Sequence, residues 1–326
     1  MKLSFIVPVY NCSAYIGKCI ESILEVLTPP LEAEVILIND GSKDNSLQIC
    51  QEYALRDKRI TVINQTNKGA SSARNAGLDV ATGDYIWFVD ADDSVCPEHV
   101  AELIQLAHQG YDVICFNYHR IESTSQRECQ EFPIDKNVVD GVGLIERSGA
   151  LFLWDKLFKR ELIGDIRFAE GTKNIEDLYF NVCVLPHVKS IAFLDQPLYN
   201  YVCISTTSTS RSHSRRNLIK LSQDTLFFQS KLVEDITHAK DVRTKKMLEN
   251  VLHTTLSGHL FSLMNFYNFK RVRKVIKIYK AWGLYPIPHT NNRKANLFAV
   301  AASNAVTLRL MYLMIVAKKK LRARPR

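Results

Sequence analysis

The sequence predicts an α/β fold: a mostly parallel sheet flanked by helices, followed by a helical C-terminal region. Two observations carry this. Over the first 120 residues, apolar β-branched runs alternate with segments of helical period, the pattern of strands joined by crossover helices. Each run also leads directly into polar, turn-forming residues, and open α/β sheets bind ligands just beyond the carboxyl ends of their strands. The candidate strands are residues 3–7, 34–38, 60–63, 85–89 and 113–116. Between the first two, Ile16, Ile20, Ile23, Leu24 and Leu27 fall at helical spacing, and Pro29-Pro30 stops that helix. A second helix is expected over about 46–55 and a third from Ser71 or Ser72 to about Gly83. A fourth begins at Pro97, a favoured first helical position.

Composition narrows the class. The chain has 326 residues, 46% of them hydrophobic, enough for one large domain with a smaller unit and against disorder. Eight cysteines occur without a Cys-x-x-Cys pair, which argues against a zinc module or a disulfide framework and for a reducing cytosol. The apolar run after Met1 is too short for a signal peptide, so a cytoplasmic location is expected. The nine histidines show no ligand spacing. Net charge is +8, unevenly spread: residues 215–326 hold 23 Lys and Arg against 5 Asp and Glu. Such a basic third attracts anionic partners without choosing among them. The predicted organisation is a domain over 1–210, in two halves (1–120 and 121–210), and a basic helical region over 211–326. Residues 121–150 read as an irregular insertion and the Ser/Thr/Arg-rich stretch from 205 as a linker.

The polar residues after the strands form a set. Pro8-Val9-Tyr10-Asn11 follows the first, Asn39-Asp40-Gly41-Ser42-Lys43-Asp44 the second, and a segment from Asn64 through Asn67, Gly69 and Ala73-Arg74-Asn75 the third. Asp90-Ala91-Asp92-Asp93 follows the fourth. In this order, over about 100 residues, the set resembles the family 2 glycosyltransferases, with their V-P-x-Y-N start, D-G-S-x-D turn, N-x-G-x-x-x-A-R-N segment and D-x-D. The resemblance implies a GT-A fold, Rossmann-like in layout, with a nucleotide-binding half (1–120) and an acceptor-binding half (121–210), and inverting transfer of a sugar from a UDP-sugar to an acceptor hydroxyl.

On this reading Asp40, on a turn permitted by Gly41, accepts a hydrogen bond from a base N–H such as uracil N3, which adenine lacks. Tyr10 stacks on the base, and Asn67, Gly69 and Arg74 bring donors to the ribose and diphosphate. The family resemblance gives Pro8 and Asn11 a part in shaping the pocket. Adjacent carboxylates leaving a buried strand need an offsetting charge, which a divalent cation, Mn²⁺ or Mg²⁺, supplies. By resemblance Asp92 is its direct ligand, Asp90 contacts ribose or a metal-bound water, and Ala91 sits between them. The general base that inverting transfer requires is Asp177, with Glu176 in reserve, because Glu176-Asp177 resembles the family's Glu-Asp motif. The segment from Trp154 resembles the tryptophan-bearing stretch before that motif, where an indole packs against the acceptor sugar.

Plainer readings compete. Asp-Gly-Ser-x-Asp alone is a turn with Asp44 or Asn45 capping a helix, Glu176 and Asp177 also complement a helix dipole, and Trp154 fits a core equally well. One departure is local: relatives carry an Arg after the counterpart of Tyr199-Asn200-Tyr201, where this chain has Val202, leaving Arg211 as a substitute. Residues 308–317 are apolar apart from Arg309 and lead into Lys318-Lys319-Lys320-Leu321-Arg322-Ala323-Arg324. This is a layout for peripheral contact with an anionic membrane surface, too short for a span. The expected partners are therefore a UDP-sugar, a glycan or lipid-linked glycan acceptor and such a membrane face, with no nucleic acid. A sugar-1-phosphate nucleotidyltransferase or a Rossmann dehydrogenase would need a Gly-rich loop after the first strand, and Val9-Tyr10-Asn11-Cys12 is not one. A catalytically silent scaffold subunit that binds sugar nucleotide remains the alternative.

Overall fold

The computed structural model describes residues 1–27, 29, 31–123, 126–130, 138–148, 152–203, 214–290 and 293–322. Pro30, the linker stretch 205–211 with Arg211, and the tail residues Ala323 and Arg324 lie outside them. The chain forms two compact units, residues 1–211 and 212–326.

In chain order the first unit contains β1 (Lys2–Val9), α1 (Ile16–Val26), β2 (Glu32–Asp40), α2 (Ser46–Arg56), β3 (Ile60–Gln65), α3 (Ala70–Val80) and β4 (Tyr85–Phe88). It continues with β5 (Ser94–Val95), α4 (Val100–His108), β6 (Val113–Ser123), β7 (Gln126–Gln130), α5 (Gly141–Ser148) and β8 (Lys156–Lys159). α6 (Arg160–Ile163), α7 (Glu176–Val184), a 3-10 turn and β9 (Ile191–Val202) complete it. The second unit holds α8 (Arg215–His238), α9 (Val242–Phe266), α10 (Phe269–Ala281), α11 (Arg293–Ala301) and α12 (Ala305–Arg322).

One nine-stranded sheet runs in the order β3-β2-β1-β4-β8-β6-β9-β5, with β7 on β6. The half formed by β3, β2, β1 and β4 is parallel throughout. Beyond it β8 lies antiparallel to both β4 and β6, while β6 and β9 are parallel. The sheet is therefore mixed, and its parallel character belongs to the half that the crossover helices build. Leu3, Phe5, Val7, Val35, Leu37, Tyr85 and Trp87 sit in one core with Ile16, Cys19, Ile20 and Ile23 of α1, so the apolar stripe of α1 is what covers that face.

Several boundaries differ from expectation for physical reasons. α3 ends at Val80, because 81–84 must turn tightly back into β4: Gly83 donates its N–H to Ser4 Oγ, and a Cβ there would stand 2.6 Å from that oxygen. α4 starts at Val100, since Pro97 opens a turn whose carbonyl accepts the Val100 N–H. The stretch read as irregular carries the end of β6, β7 and α5.

Candidate functional site

The turns after β1, β2, β3 and β4 meet at one edge of the sheet through their own side chains. Asn11 is the one non-glycine residue with left-handed φ among those described (51°), a conformation Asn tolerates better than most. Its side-chain oxygen accepts the Lys43 N–H (2.8 Å), while its own N–H donates to Ser42 Oγ (3.1 Å). Asp44 accepts from Ser13 N–H and from the hydroxyl and N–H of Ser46. Burial raises its pKa, but these bonds prevail and hold it at about 2. Asp44 thus ties the first two turns together and also accepts the first N–H of α2.

Asp40 is buried at the end of β2. Its Oδ1 accepts from Gln65 Nε2 (2.7 Å) and Lys68 N–H (2.8 Å), and its Oδ2 accepts from Gly69 N–H (2.8 Å). A carboxylate oxygen accepts two bonds, so Oδ2 retains one acceptor position for a ligand donor. Gly41 (φ 68°) lets the 65–69 loop approach, because a Cβ there would meet the Asn67 nitrogen at 2.8 Å. Gly69, with φ 94°, starts α3. Tyr10 and Asn67 are exposed and Pro8 is half-buried, so the described structure leaves Tyr10 accessible to a stacking partner.

Arg74 lies deep in the site, with only 5% of its surface exposed. Its Nη2 donates to Asp90 Oδ1 (2.9 Å) and its Nη1 to Asp177 Oδ1 (3.2 Å), with Glu176 Oε1 4.0 Å from Nη1. One guanidinium therefore bridges the turn after β4 and the first turn of α7. Arg74 stays charged although burial opposes it, because Asp177, Asp90 and Glu176 surround it. In the described structure its guanidinium brackets these carboxylates. The neighbouring Asn75 pins the loop before α7, donating to the Phe168 carbonyl and accepting the Phe168 N–H.

The acids respond to this setting. Burial lifts the Asp177 carboxyl to about 7; Arg74 opposes the shift, and Glu176 and Asp90 add to it. The side chain still exposes 27% of its area, which leaves it reachable. Asp92 is pushed up to about 6 by burial, then by the Asp90 charge. Among the described residues no Lys, Arg or His forms a salt bridge with it. Buried Arg74 Nε and Glu176 Oε2 also have no protein hydrogen-bond partner there.

Asp93, whose role the sequence left open, is an anchor. It accepts the Tyr199 hydroxyl on Oδ2 (2.9 Å) and the Val202 N–H on Oδ1 (2.7 Å), and the Tyr199 oxygen in turn accepts the Asp90 N–H (3.0 Å). Tyr199, Asp93 and buried Ala91 thereby fix the turn that presents Asp90 and Asp92.

Trp154 is not available as a sugar platform. It is 3% exposed and stacks on Phe152 and Tyr199 (each 4.7 Å between ring centres) and on Tyr201 (5.4 Å). The exposed member of this stack is Phe152. Next to it Lys156 is fully buried, donating to Asp155 Oδ1 (2.6 Å) and the Phe152 carbonyl (2.7 Å), and its charge opposes the upward shift of Asp177.

No group of three or more His, Cys, Asp or Glu residues gathers as a metal cluster among the described residues. The pair Asp90 and Asp92 is nevertheless the donor set a cation held jointly with a diphosphate takes, since Mg²⁺-type sites use one or two carboxylates plus phosphate oxygens.

Known proteins place this arrangement. Residues 4–132, which supply all four turns, match the family described as Glycosyl transferase family 2. Putative glycosyltransferase EpsH of Bacillus subtilis is 30% identical over 61% of this chain, and the match spans 60% of EpsH, less than two thirds of its length. Glycosyltransferase GlyG of Streptococcus pneumoniae is 32% identical over 61% of this chain and 70% of that protein. The fold is shared with Staphylococcus aureus TarS 1–349, solved in complex with UDP-GlcNAc: TM-score 0.64, 23% identity, 82% of this chain and 74% of that one. The chain therefore belongs to glycosyl transferase family 2.

Proposed function

We propose that the protein transfers a sugar from a UDP-sugar, with inversion, to a hydroxyl of a glycan or lipid-linked glycan in cell-surface polysaccharide synthesis, working in the cytoplasm at the inner membrane face. The observation that carries this reading is the Arg74 bracket, which holds an acid of the donor-side turn and an acid of α7 on one guanidinium. Tyr10 stacks on the base, and Asp40 accepts the base N–H on its remaining Oδ2 position. Asp92, with Asp90 beside it, would hold the divalent cation, Mn²⁺ or Mg²⁺, as a pair of adjacent carboxylates without a salt-bridged cation on Asp92. When bound, the cation supplies positive charge at the leaving diphosphate. Asp177 takes the proton of the acceptor hydroxyl, and a pKa of about 7 suits a base at neutral pH. Arg74 orients that carboxylate, while Asp93 and Tyr199 keep the Asp90–Asp92 turn in register.

The base preference tests the donor half. Titration of UDP, CDP, GDP and ADP in the presence of Mn²⁺ is expected to show UDP binding at least roughly tenfold tighter than ADP, the worth of one hydrogen bond of about 1.4 kcal/mol. Equal binding of ADP would remove Asp40 from base recognition.

A further inference from the structure

The second unit has its own charged and apolar surface. Its acids all lie between Asp224 and Glu249, and from residue 250 to the end 15 Lys and Arg occur without a single Asp or Glu. α12 packs one face inward: Leu308 is buried, the Tyr312 hydroxyl donates to the Tyr267 carbonyl, and its ring lies 5.2 Å from that of Phe269 on α10. The opposite face carries Val306, Leu310, Leu313 and Met314, each more than half exposed. At 100° per residue these four fall within an arc of about 100° on the helix, with exposed Arg309 on one flank and exposed Lys318 on the other. Between α10 and α12 runs an open groove of about 610 Å³, lined by Phe269, Arg273, Val306, Arg309, Leu310 and Leu313.

An apolar stripe turned to solvent costs free energy unless something covers it. The covering surface must be apolar below and anionic at its rim, because the stripe is edged by Arg273, Arg309 and Lys318 and the surrounding sequence has no acid. No helix of the described residues is long and apolar enough to cross a membrane. A helix that presents leucines between flanking cations instead lies in the interface, its apolar face among acyl chains and its cations at lipid phosphates.

We infer that the outer face of α12, with the α10–α12 groove, docks on an anionic lipid bilayer: Val306, Leu310, Leu313 and Met314 enter the acyl boundary, and Arg273 and Arg309 engage lipid phosphates. This names the surface for the membrane-face location proposed above, and it does not depend on the donor site being active.

The test is sedimentation of the full chain with phosphatidylcholine vesicles and with vesicles containing phosphatidylglycerol. Wild type is expected on the anionic vesicles only, with partitioning that weakens as salt rises. Arg273→Gln/Arg309→Gln should lower the partition coefficient roughly thirtyfold, at about 1 kcal/mol for each cation. Leu310→Gln/Leu313→Gln should lower it at least roughly tenfold even at low salt. Far-UV circular dichroism and a thermal melt like those of the wild type should show both variants folded without reference to UDP, and an unchanged UDP-induced thermal shift separates this result from the donor-site reading. Wild type that stays in solution with both vesicle types, or partitioning unchanged in both variants, overturns the proposal. So does a dimer in gel filtration that Leu310→Gln/Leu313→Gln converts to monomer, since the face then belongs to a second copy. Retention on anionic vesicles that added inorganic phosphate abolishes at constant ionic strength would assign the arginines to free phosphate and also overturn it.

Discussion

Replacing Asp177 by Asn is expected to lower kcat by about 10²–10⁴, the usual worth of a general base, while UDP binding is retained. The substitution preserves size and keeps an oxygen for Arg74 Nη1, so the lost quantity is the proton acceptor. The pH profile gives the sign independently. A base works deprotonated, so kcat/KM of the wild type should fall as pH drops through about 7, the value to which burial lifts Asp177. In Asp177→Asn that acidic limb should vanish from the residual rate. A variant with the wild-type profile would move the base elsewhere, to Glu176 first.

The second large effect is structural. Arg74→Met is expected to destabilise the first unit by about 3 kcal/mol. Removing one partner of a buried ion pair costs roughly 3–5 kcal/mol, and the lower end applies because Asp90 and Asp177 are each about a third exposed, which solvent screens. For a unit of this size that corresponds to a melting temperature lowered by roughly 6–12 °C. The variant should also show an alkaline shift in the pH profile: Arg74 pulls the Asp177 pKa down, so its loss raises that pKa. Arg74→Lys should keep part of the charge effect but not the bridge, since a point charge cannot span two carboxylates as a planar fork does. A melting temperature within a degree of wild type would mean the carboxylates do not depend on this guanidinium.

Both effects rest on residues the sequence singles out, yet the role of Arg74 is only partly legible there. β1, α1, β2, α2 and β3 follow from the local sequence, because their apolar residues recur at strand or helix spacing. The second half of the sheet resists such reading: β8 is four residues long with Lys at both ends, and its antiparallel place between β4 and β6 is set by partners 41 or more positions away. For Arg74 a local signal did exist. It sits in a helix of small residues, and a Cβ on Gly77 would come within 2.5 Å of Ile6. A helix packed that closely on the sheet buries its neighbours, and a buried arginine needs carboxylates. Trp154 illustrates the opposite case: residues 152, 199 and 201, which cover it, are brought together only by the pairing of β6 with β8 and β9. Asp93 and Tyr199 are likewise joined across more than 100 positions.

The most direct test of the account is the thermal shift of the wild type and Asp92→Ala with UDP, with and without Mn²⁺. Ligand at about 100 times its dissociation constant adds about 2.7 kcal/mol of apparent stability. The account predicts a UDP shift that grows with Mn²⁺ in the wild type and loses its metal-dependent part in Asp92→Ala. Folded wild-type protein that shifts with no nucleotide would contradict it and leave the chain a family member without a working donor site.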